Sequence, residues 1–585
     1  MRHGQVFLCY CLMLAMGPGG AGAQPVEEAQ PAEAADAAAP APLEKPQLGL
    51  RYDAVLREAD DSVSRRIDAD LIDLDALRLA LEASLGRSEI RLALNDCILI
   101  ALDRNPDILL AEFEPRKVDG DVLTAKGEFD PILGTDILYT KASTIASQTL
   151  IAYGGITSVE SWNTTTRTSV MGKLHTGTMY NLTFAMNKEE NTFGKFIEEW
   201  DGLLSLSLTQ PILSGFGPSV NKVRIRQARN ARAAAEEQFR ASVMNTVAGV
   251  VKAYWDLTGA IERLTVREES LDNAERLLHI NETRRQLGTA ADIDVLQAKA
   301  GVAMRQSELI AARAAVGHAE DALKQLLDIR DGDLFSTARI LPTDRPGFAS
   351  GLWIDPSNLE DQIAVSVERA LRNRPELKAS EFEIENAKLE EMRTRNQMLP
   401  KLDVVGSYAQ GGRDHKPRQV FYGMRAGDVD AMSIGLQGSV PIGNRAARGQ
   451  HLRAQLTREQ AEQRFENVRQ GLMVNVHVAM RNVFANQTLV ESTRQAREFQ
   501  EVNVVAEEKR LRLGVTTSYQ VLLVQQDLTL AQTQEVQALI DYQKALVDLN
   551  LAEGTVLENL GVALDPPETA EPVGYIQAVT PRWEW

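Results

Sequence analysis

Two stretches of the chain alternate strictly between apolar and polar residues. Leu204-Ser205-Leu206-Ser207-Leu208-Thr209-Gln210 ends at Pro211, and Met432-Ser433-Ile434-Gly435-Leu436-Gln437-Gly438-Ser439-Val440 ends at Pro441. A period of two puts every apolar side chain on one face of a strand. Further strands are expected from Leu133 to about Ser143 and from Leu402 to about Gln410. The first half also carries an extra stretch, Val170 to Phe184, which turns at His175-Thr176-Gly177 and reads as an additional hairpin. The pattern leaves open whether that hairpin joins the same sheet or decorates it.

Between and after the strands the pattern is helical. An opening helix is expected over Leu92 to Lys126, broken by Gly127 and Pro131, and a second over Leu359 to Gln397, ending before Pro400. From about Asn221 to Gln286, and again from about Arg445 to Arg512, roughly 65 residues pass without a proline. At 1.5 Å per residue each helix would be about 100 Å long. Helices of that length imply coiled-coil-like assembly. Each ends at a Leu-Gly pair, where Gly288 or Gly514 can take the left-handed conformation of a helix end. Arg284, Arg285, Lys509, Arg510 and Arg512 fill the last turns, where cations suit the helix dipole. Thr289 or Asp292, and Thr517 or Ser518, are candidate caps for a returning helix.

These elements occur twice in one order. Ala101-Leu102-Asp103-Arg104-Asn105-Pro106 returns as Ala370-Leu371-Arg372-Asn373-Arg374-Pro375, and Pro131 returns as Pro400. Gln210-Pro211-Ile212-Leu213 returns as Val440-Pro441-Ile442-Gly443. Leu287-Gly288-Thr289, followed by Val295-Leu296-Gln297, returns as Leu513-Gly514-Val515, followed by Val521-Leu522-Leu523. A repeat this long predicts one structure built from two similar halves.

Composition narrows the setting. The 585 residues carry a net charge of -18, which argues against a nucleic-acid partner. Residues 1–23 read as a secretory signal: Arg2 and His3, an apolar run from Val6 to Met16, then Ala21-Gly22-Ala23. Residues 24–47 read as a disordered Pro/Ala-rich leader, and residues 48–90 as a separate N-terminal segment, helical but short-ranged in pattern. Cys9 and Cys11 would leave with the signal, so only Cys97 would remain and no intramolecular disulfide is expected. No later segment approaches the about 18 unbroken apolar residues of a membrane helix, so a bilayer would be met through strands.

No catalytic constellation emerges. The seven histidines lack metal-ligand spacing, and neither a P-loop nor a Gly-x-Ser-x-Gly motif is present. The run Gly406 to Gly412 reads as strand and surface loop, because no Lys-Ser/Thr opens a helix after it. Tyr254 and Trp255, with Phe239 and Tyr542, read as an aromatic cluster packed between helices. No enzyme activity, cofactor or metal is expected.

The Ala-Leu…Asn-Pro opening, the Gln-Pro-Ile-Leu strand exit and the Leu-Gly tip, duplicated in this order, resemble the outer membrane efflux protein family, the TolC-like channel tunnels. That resemblance implies a mainly α fold with a membrane β-barrel portion: a homotrimer with a shared β-barrel in outer-membrane lipid and an α-barrel in the periplasm. Two tandem repeats per chain are expected, at residues 91–330 and 359–560, with the N-terminal segment at 48–90 in the periplasm, a linker at 331–358 and a periplasmic tail at 561–585. It implies a passive exit duct, served by an inner-membrane transporter and a periplasmic adaptor. On this resemblance Leu287, Gly288 and Thr289, with Leu513, Gly514, Val515 and Thr516, would form the tips where the adaptor docks. Asp292 and Asp294 would lie at the aperture, or stabilise a first helical turn. The second repeat offers Gln520 and Leu523 there, a departure from the family's acidic pattern. A periplasmic adaptor or a coiled-coil scaffold are the competing readings.

Overall fold

The computed structural model of the protein describes residues 89–145, 157–191, 198–329, 339–346, 356–427, 429–562 and 564, all within a unit spanning residues 65–585. The expected signal, the leader, most of the segment before Ile90 and most of the C-terminal tail lie outside the described residues.

In chain order the first half comprises β1 (Glu89–Leu92), α1 (Leu94–Arg104), α2 (Pro106–Gly127), β2 (Ile132–Ile145), β3 (Ser158–Lys173), β4 (Met179–Asn191), β5 (Glu199–Pro211), α3 (Val223–Gln286) and α4 (Asp292–Leu326). The second comprises β6 (Arg339–Pro342), α5 (Leu359–Asn373), α6 (Pro375–Gln397), β7 (Lys401–Asp414), α7 (Pro417–Ala426), β8 (Val429–Ser439), α8 (Arg445–Arg512) and α9 (Ser518–Glu553).

Each opening helix is two helices, not one. Proline excludes the residue before it from helical backbone. Asn105 accordingly sits at φ -61°, ψ 123° and Arg374 at φ -71°, ψ 120°. Asn105 turns the break into a cap: its side-chain oxygen accepts the Asp107 and Ile108 N–H groups at 2.9 and 3.3 Å. Its amide donates to the Leu326 carbonyl at 2.7 Å, which ties α2 to the end of α4. Arg374 caps nothing, but donates to the Leu551 carbonyl and pairs with Glu376 at 2.7 Å.

The long helices run as the proline-free stretches predict, over 64 residues in α3 and 68 in α8. Each is about 100 Å long and folds back on its shorter partner. The first core joins α1, α3, β1 and β6 around Cys97, Val243, Met244, Tyr254 and Leu257. Parallel pairing of β1 with β6 closes it, and the Asp344 carboxylate accepts the Leu94 N–H at 2.7 Å and the Tyr254 hydroxyl at 2.8 Å. Burial, with Asp96 and Asp344 nearby, pushes the Cys97 thiol up to about 12. A second core gathers Ile363, Met480, Val483, Val490 and Tyr542. The expected aromatic cluster is therefore divided: Phe239, Tyr254 and Trp255 belong to the first core, Tyr542 to the second. Both groups do pack between helices, where a buried large side chain contributes about 1.5–3 kcal/mol.

The strands form one antiparallel sheet of 6 strands, ordered β2-β3-β4-β5-β7-β8. The extra hairpin joins it: β3 and β4 lie between β2 and β5, so the first half supplies four strands and the second two. Its turn closes through Leu174 N–H to Thr178 O at 2.8 Å, with Gly177 at φ 95°. The run Gly406 to Gly412 is strand throughout, since β7 continues to Asp414. The register is unbroken, so whole rungs can be read across. One rung is Leu133, Val170, Leu182, Leu206, Tyr408 and Met432. The next is Gly134, Ser169, Thr183, Ser205, Ala409 and Ala431. Alternate rungs point to opposite faces, so one face is apolar and the other small and polar.

Candidate functional site

Both hairpin tips end in the same backbone device. Gly288 takes φ 72°, with Thr289 N–H bonded to Arg284 O at 2.8 Å and Gly288 N–H to Arg285 O at 2.9 Å. Gly514 takes φ 73°, with Val515 N–H bonded to Arg510 O at 3.0 Å and Gly514 N–H to Leu511 O at 3.1 Å. These bonds satisfy carbonyls that the last turn would otherwise leave without partners. Thr289 adds a hydroxyl bond to Arg284 O at 3.0 Å, so it closes α3 rather than capping α4.

The residue that starts α4 is neither of the expected caps. Ala291 is the N-cap position, and Asp294 reaches back to accept its N–H at 3.2 Å. Asp292 is no cap either; its exposed carboxylate lies 3.5 Å from Arg285. In the second tip Thr517, one of the two candidates, does cap α9, accepting the Gln520 N–H at 3.4 Å. Ser518 is buried instead and donates to Asn281 Oδ1 at 2.7 Å, joining α9 to α3. Thr516 donates to Glu507, which also pairs with Arg510 at 3.0 Å.

The tips present apolar side chains outward. Leu287 is 73 % exposed and Leu513 78 %. Val515, Ile293, Leu296, Tyr519 and Leu523 are also exposed, Gln520 beside them. Ile293 and Tyr519 escape a sequence reading, and Leu296 enters it only as part of the repeat, because the glycines mark the turns and not the surface around them. The two hairpins are held side by side here by Leu277, Leu511 and Val521. Arg305 is buried between them and donates to the Leu522 carbonyl at 3.4 Å; burial lowers its pKa from the usual guanidinium value. A lone arginine in a helical repeat gives no sequence signal of that role.

At the other end the apolar sheet face stays exposed, with Leu133, Ile137, Tyr139, Met432, Ile434 and Leu436 open to the surroundings. The opposite face carries Ser205, Ser207, Thr183, Arg167 and Arg413, the last paired with Asp201. Trp162 and Trp200 stand on the apolar face near the strand ends, under the ammonium groups of Lys141 at 5.4 Å and Lys188 at 5.8 Å. Among the described residues no helix is long and apolar enough to cross a membrane. Nor does any group of three His, Cys, Asp or Glu among them have the arrangement to hold a metal ion.

A family model described as outer membrane efflux protein matches residues 98–328 and 366–555, which takes in both hairpins and the whole sheet. The chain belongs to the outer membrane efflux protein family. Among curated relatives, the outer membrane efflux protein BepC of Brucella suis is 26% identical over 401 residues, covering 65% of this chain and 78% of that protein. The pyoverdine export outer membrane protein OpmQ of Pseudomonas putida is 25% identical over 328 residues, covering 54% of this chain and 63% of that protein. The outer-membrane channel OprN superposes with a TM-score of 0.58 at 18% identity, over 79% of this chain and 90% of that one. VceC of Vibrio cholerae does so with 0.56 at 19%, over 79% and 96%. The fold is that of a TolC-like efflux channel. Family membership decides against the adaptor and scaffold readings.

Proposed function

We propose that the protein is the passive outer-membrane exit duct of a tripartite efflux or type I secretion system. The observation that carries this is the sheet, apolar on one face, polar on the other, with β2 and β8 at its two ends. Exposed strand edges invite pairing with another chain. Here the edge of one copy would meet the opposite edge of the next, and a trimer would close a barrel with its apolar face to outer-membrane lipid. Six strands per protomer give about eighteen, a size at which barrels hold an aqueous channel. The helices hang about 100 Å below, a length suited to the periplasm.

At their far end the exposed Leu287, Leu513 and Val515, with Gly288, Thr289, Gly514 and Thr516 shaping the turns, would dock a periplasmic adaptor. Exposed apolar groups at paired helix ends favour a protein partner. Asp292, Asp294, Gln520 and Leu523 would lie about the lower aperture. The adaptor would link the duct to an inner-membrane transporter that does the work, so the reading assigns this chain no catalysis. Negative-stain electron microscopy of detergent-extracted protein tests it. Three-fold particles with a narrow tube about 100 Å long below a micelle are expected. Compact monomers without a micelle would overturn it.

A further inference from the structure

Helix α7 fills the connection between β7 and β8 and folds back onto the sheet. It lies on the apolar face. Val420 and Met424, one turn apart, are buried against Met186, with Phe184 and Trp200 beside them. Phe421 stacks on Phe184 with ring centroids 5.6 Å apart. Two glycines make the seat. Gly202 and Gly412 are paired across β5 and β7, and their missing side chains leave room for the helix backbone. A Cβ on Gly412 would stand 2.5 Å from the Val420 carbonyl oxygen and 2.9 Å from the Met424 nitrogen. A Cβ on Gly202 would stand 2.6 Å from Val420 Cγ1. A helix pressed this closely against strands belongs to the wall of the barrel and is not a loop excursion.

Its outer side is amphipathic. Phe421 is 50 % exposed and Tyr422 59 %, continuous with the apolar face the sheet presents. Lys416, Arg418 and Arg425 are exposed around them. Arg413, on the polar face, is paired with Asp201 and Glu199, whereas these three cations make no ion pair among the described residues. The Arg418 guanidinium instead lies over the Tyr422 ring at 5.9 Å. Height along the sheet follows from the register. Gly202 lies two residues from Trp200, on the strand ends remote from the hairpins. So α7 sits at the level where aromatic side chains mark a bilayer interface.

We propose that α7 is an interfacial helix that binds phosphate-bearing lipid of the outer leaflet. Phe421 and Tyr422 enter the acyl layer, and Lys416, Arg418 and Arg425 engage the headgroup phosphates. The inference rests on the outer-membrane reading of the sheet. Amphipathic helices of this kind bind through buried apolar area together with attraction to anionic headgroups. Unpaired cations beside an apolar edge complement that chemistry and not a neutral headgroup.

The test uses full-length protein reconstituted in phosphatidylcholine vesicles, with an environment-sensitive fluorophore on Tyr422→Cys or, as reference, on Ile434→Cys. Quenching by doxyl-labelled lipid is compared with quenching by aqueous iodide, and lipid A is titrated in separately. Both fluorophores should be quenched by the lipid. Arg418→Gln with Arg425→Gln should weaken lipid A binding about twenty-five-fold, about fivefold for each cation removed. Lipid quenching at Ile434→Cys with iodide quenching at Tyr422→Cys would overturn the interfacial helix and leave the barrel standing. Iodide quenching at both would overturn the membrane reading itself. Lipid quenching at both with unchanged lipid A affinity in the double variant would overturn the phosphate recognition.

Discussion

At the first tip Thr289 N–H reaches Arg284 O at 2.8 Å across Gly288; at the second, Val515 N–H reaches Arg510 O at 3.0 Å across Gly514. The backbone is the same in both, but the returning helices start differently. In the first half Asp294 reaches back to the Ala291 N–H, and in the second Thr517 caps through its hydroxyl. Upstream the halves differ more: four strands against two, Asn105 as a cap against Arg374 as a clamp on Leu551, Cys97 where the second half has the buried Ser366. Backbone closure is fixed by chirality and by the need to pair every carbonyl, so it survives in both copies. Side-chain chemistry and strand number are not so constrained, and a hairpin can be added wherever two strands already offer edges.

The sharpest way to break the equivalence of the tips is proline. Gly514→Pro removes the N–H bonded to Leu511 O and demands a negative φ where the chain holds 73°. Substitutions of this kind cost about 3 kcal/mol or more, confined here to the turn. Export is expected to be lost while trimer remains in the membrane, and Gly288→Pro should do the same. Unchanged export from either variant would show that tip to be only a helix turn.

The strand difference has a conductance. Barrel diameter grows roughly in proportion to strand number. Removing the β3–β4 hairpin, with β2 rejoined to β5, should reduce single-channel conductance in planar bilayers about twofold, by the square of the diameter ratio. A conductance equal to that of the intact protein would place the limiting constriction elsewhere, at the helical end.

The parts of this fold that are legible in sequence are those where one residue type answers one physical demand. Proline-free runs bound α3 and α8 almost to the residue, Gly288 and Gly514 mark their ends, and alternation locates Leu204 to Thr209 and Met432 to Ser439, the second strand ending one residue before the pattern does. At Pro106 and Pro375 a long helical pattern hides the break that each proline makes. Asp294 is legible as an acid in a first turn, but not as the residue reaching back to Ala291. Nor does the sequence disclose α7 on the sheet: Gly202 and Gly412 lie 210 positions apart in the chain and act together only once β5 and β7 pair. The exposed tip surface and the seat of Arg305 likewise depend on which helices become neighbours.

Cys97 and Ser366 occupy matching places in the two repeats, and exchanging them compares the two cores. With the folded thiol held near 12 against an ordinary 9.0, the folded chain keeps a proton that the unfolded chain releases. Below about pH 9 both states are protonated and Cys97 adds no pH dependence. Between about pH 9 and 12 its contribution is progressively lost, at up to about 1.4 kcal/mol per pH unit. Thermal unfolding followed by helical dichroism should therefore fall less steeply with alkaline pH in Cys97→Ser than in the unaltered protein. Parallel curves would mean that the thiol meets water in the folded state.

The smallest expected effect bears on the two first turns beyond the tips. Two duties are open to Asp294: to accept the Ala291 N–H at 3.2 Å, and to place a negative charge near the aperture. Asp294→Asn would separate them, because an amide oxygen still accepts that bond while the charge is gone. The bond to Ala291 is kept, so this substitution should cost only the interaction of the lost charge with the helix dipole, about 0.3–1 kcal/mol. Its effect would then be read in ion preference: cation selectivity in planar bilayers should decline, most at low salt, where screening is weakest. The second half supplies the control, since Gln520 already stands uncharged in the corresponding turn, and Gln520→Glu should move selectivity the opposite way. If neither variant changes selectivity or its salt dependence, Asp294 only closes its own helix start, and the two turns differ in which backbone N–H a side chain satisfies: that of the N-cap residue Ala291 in the first, that of Gln520 in the second.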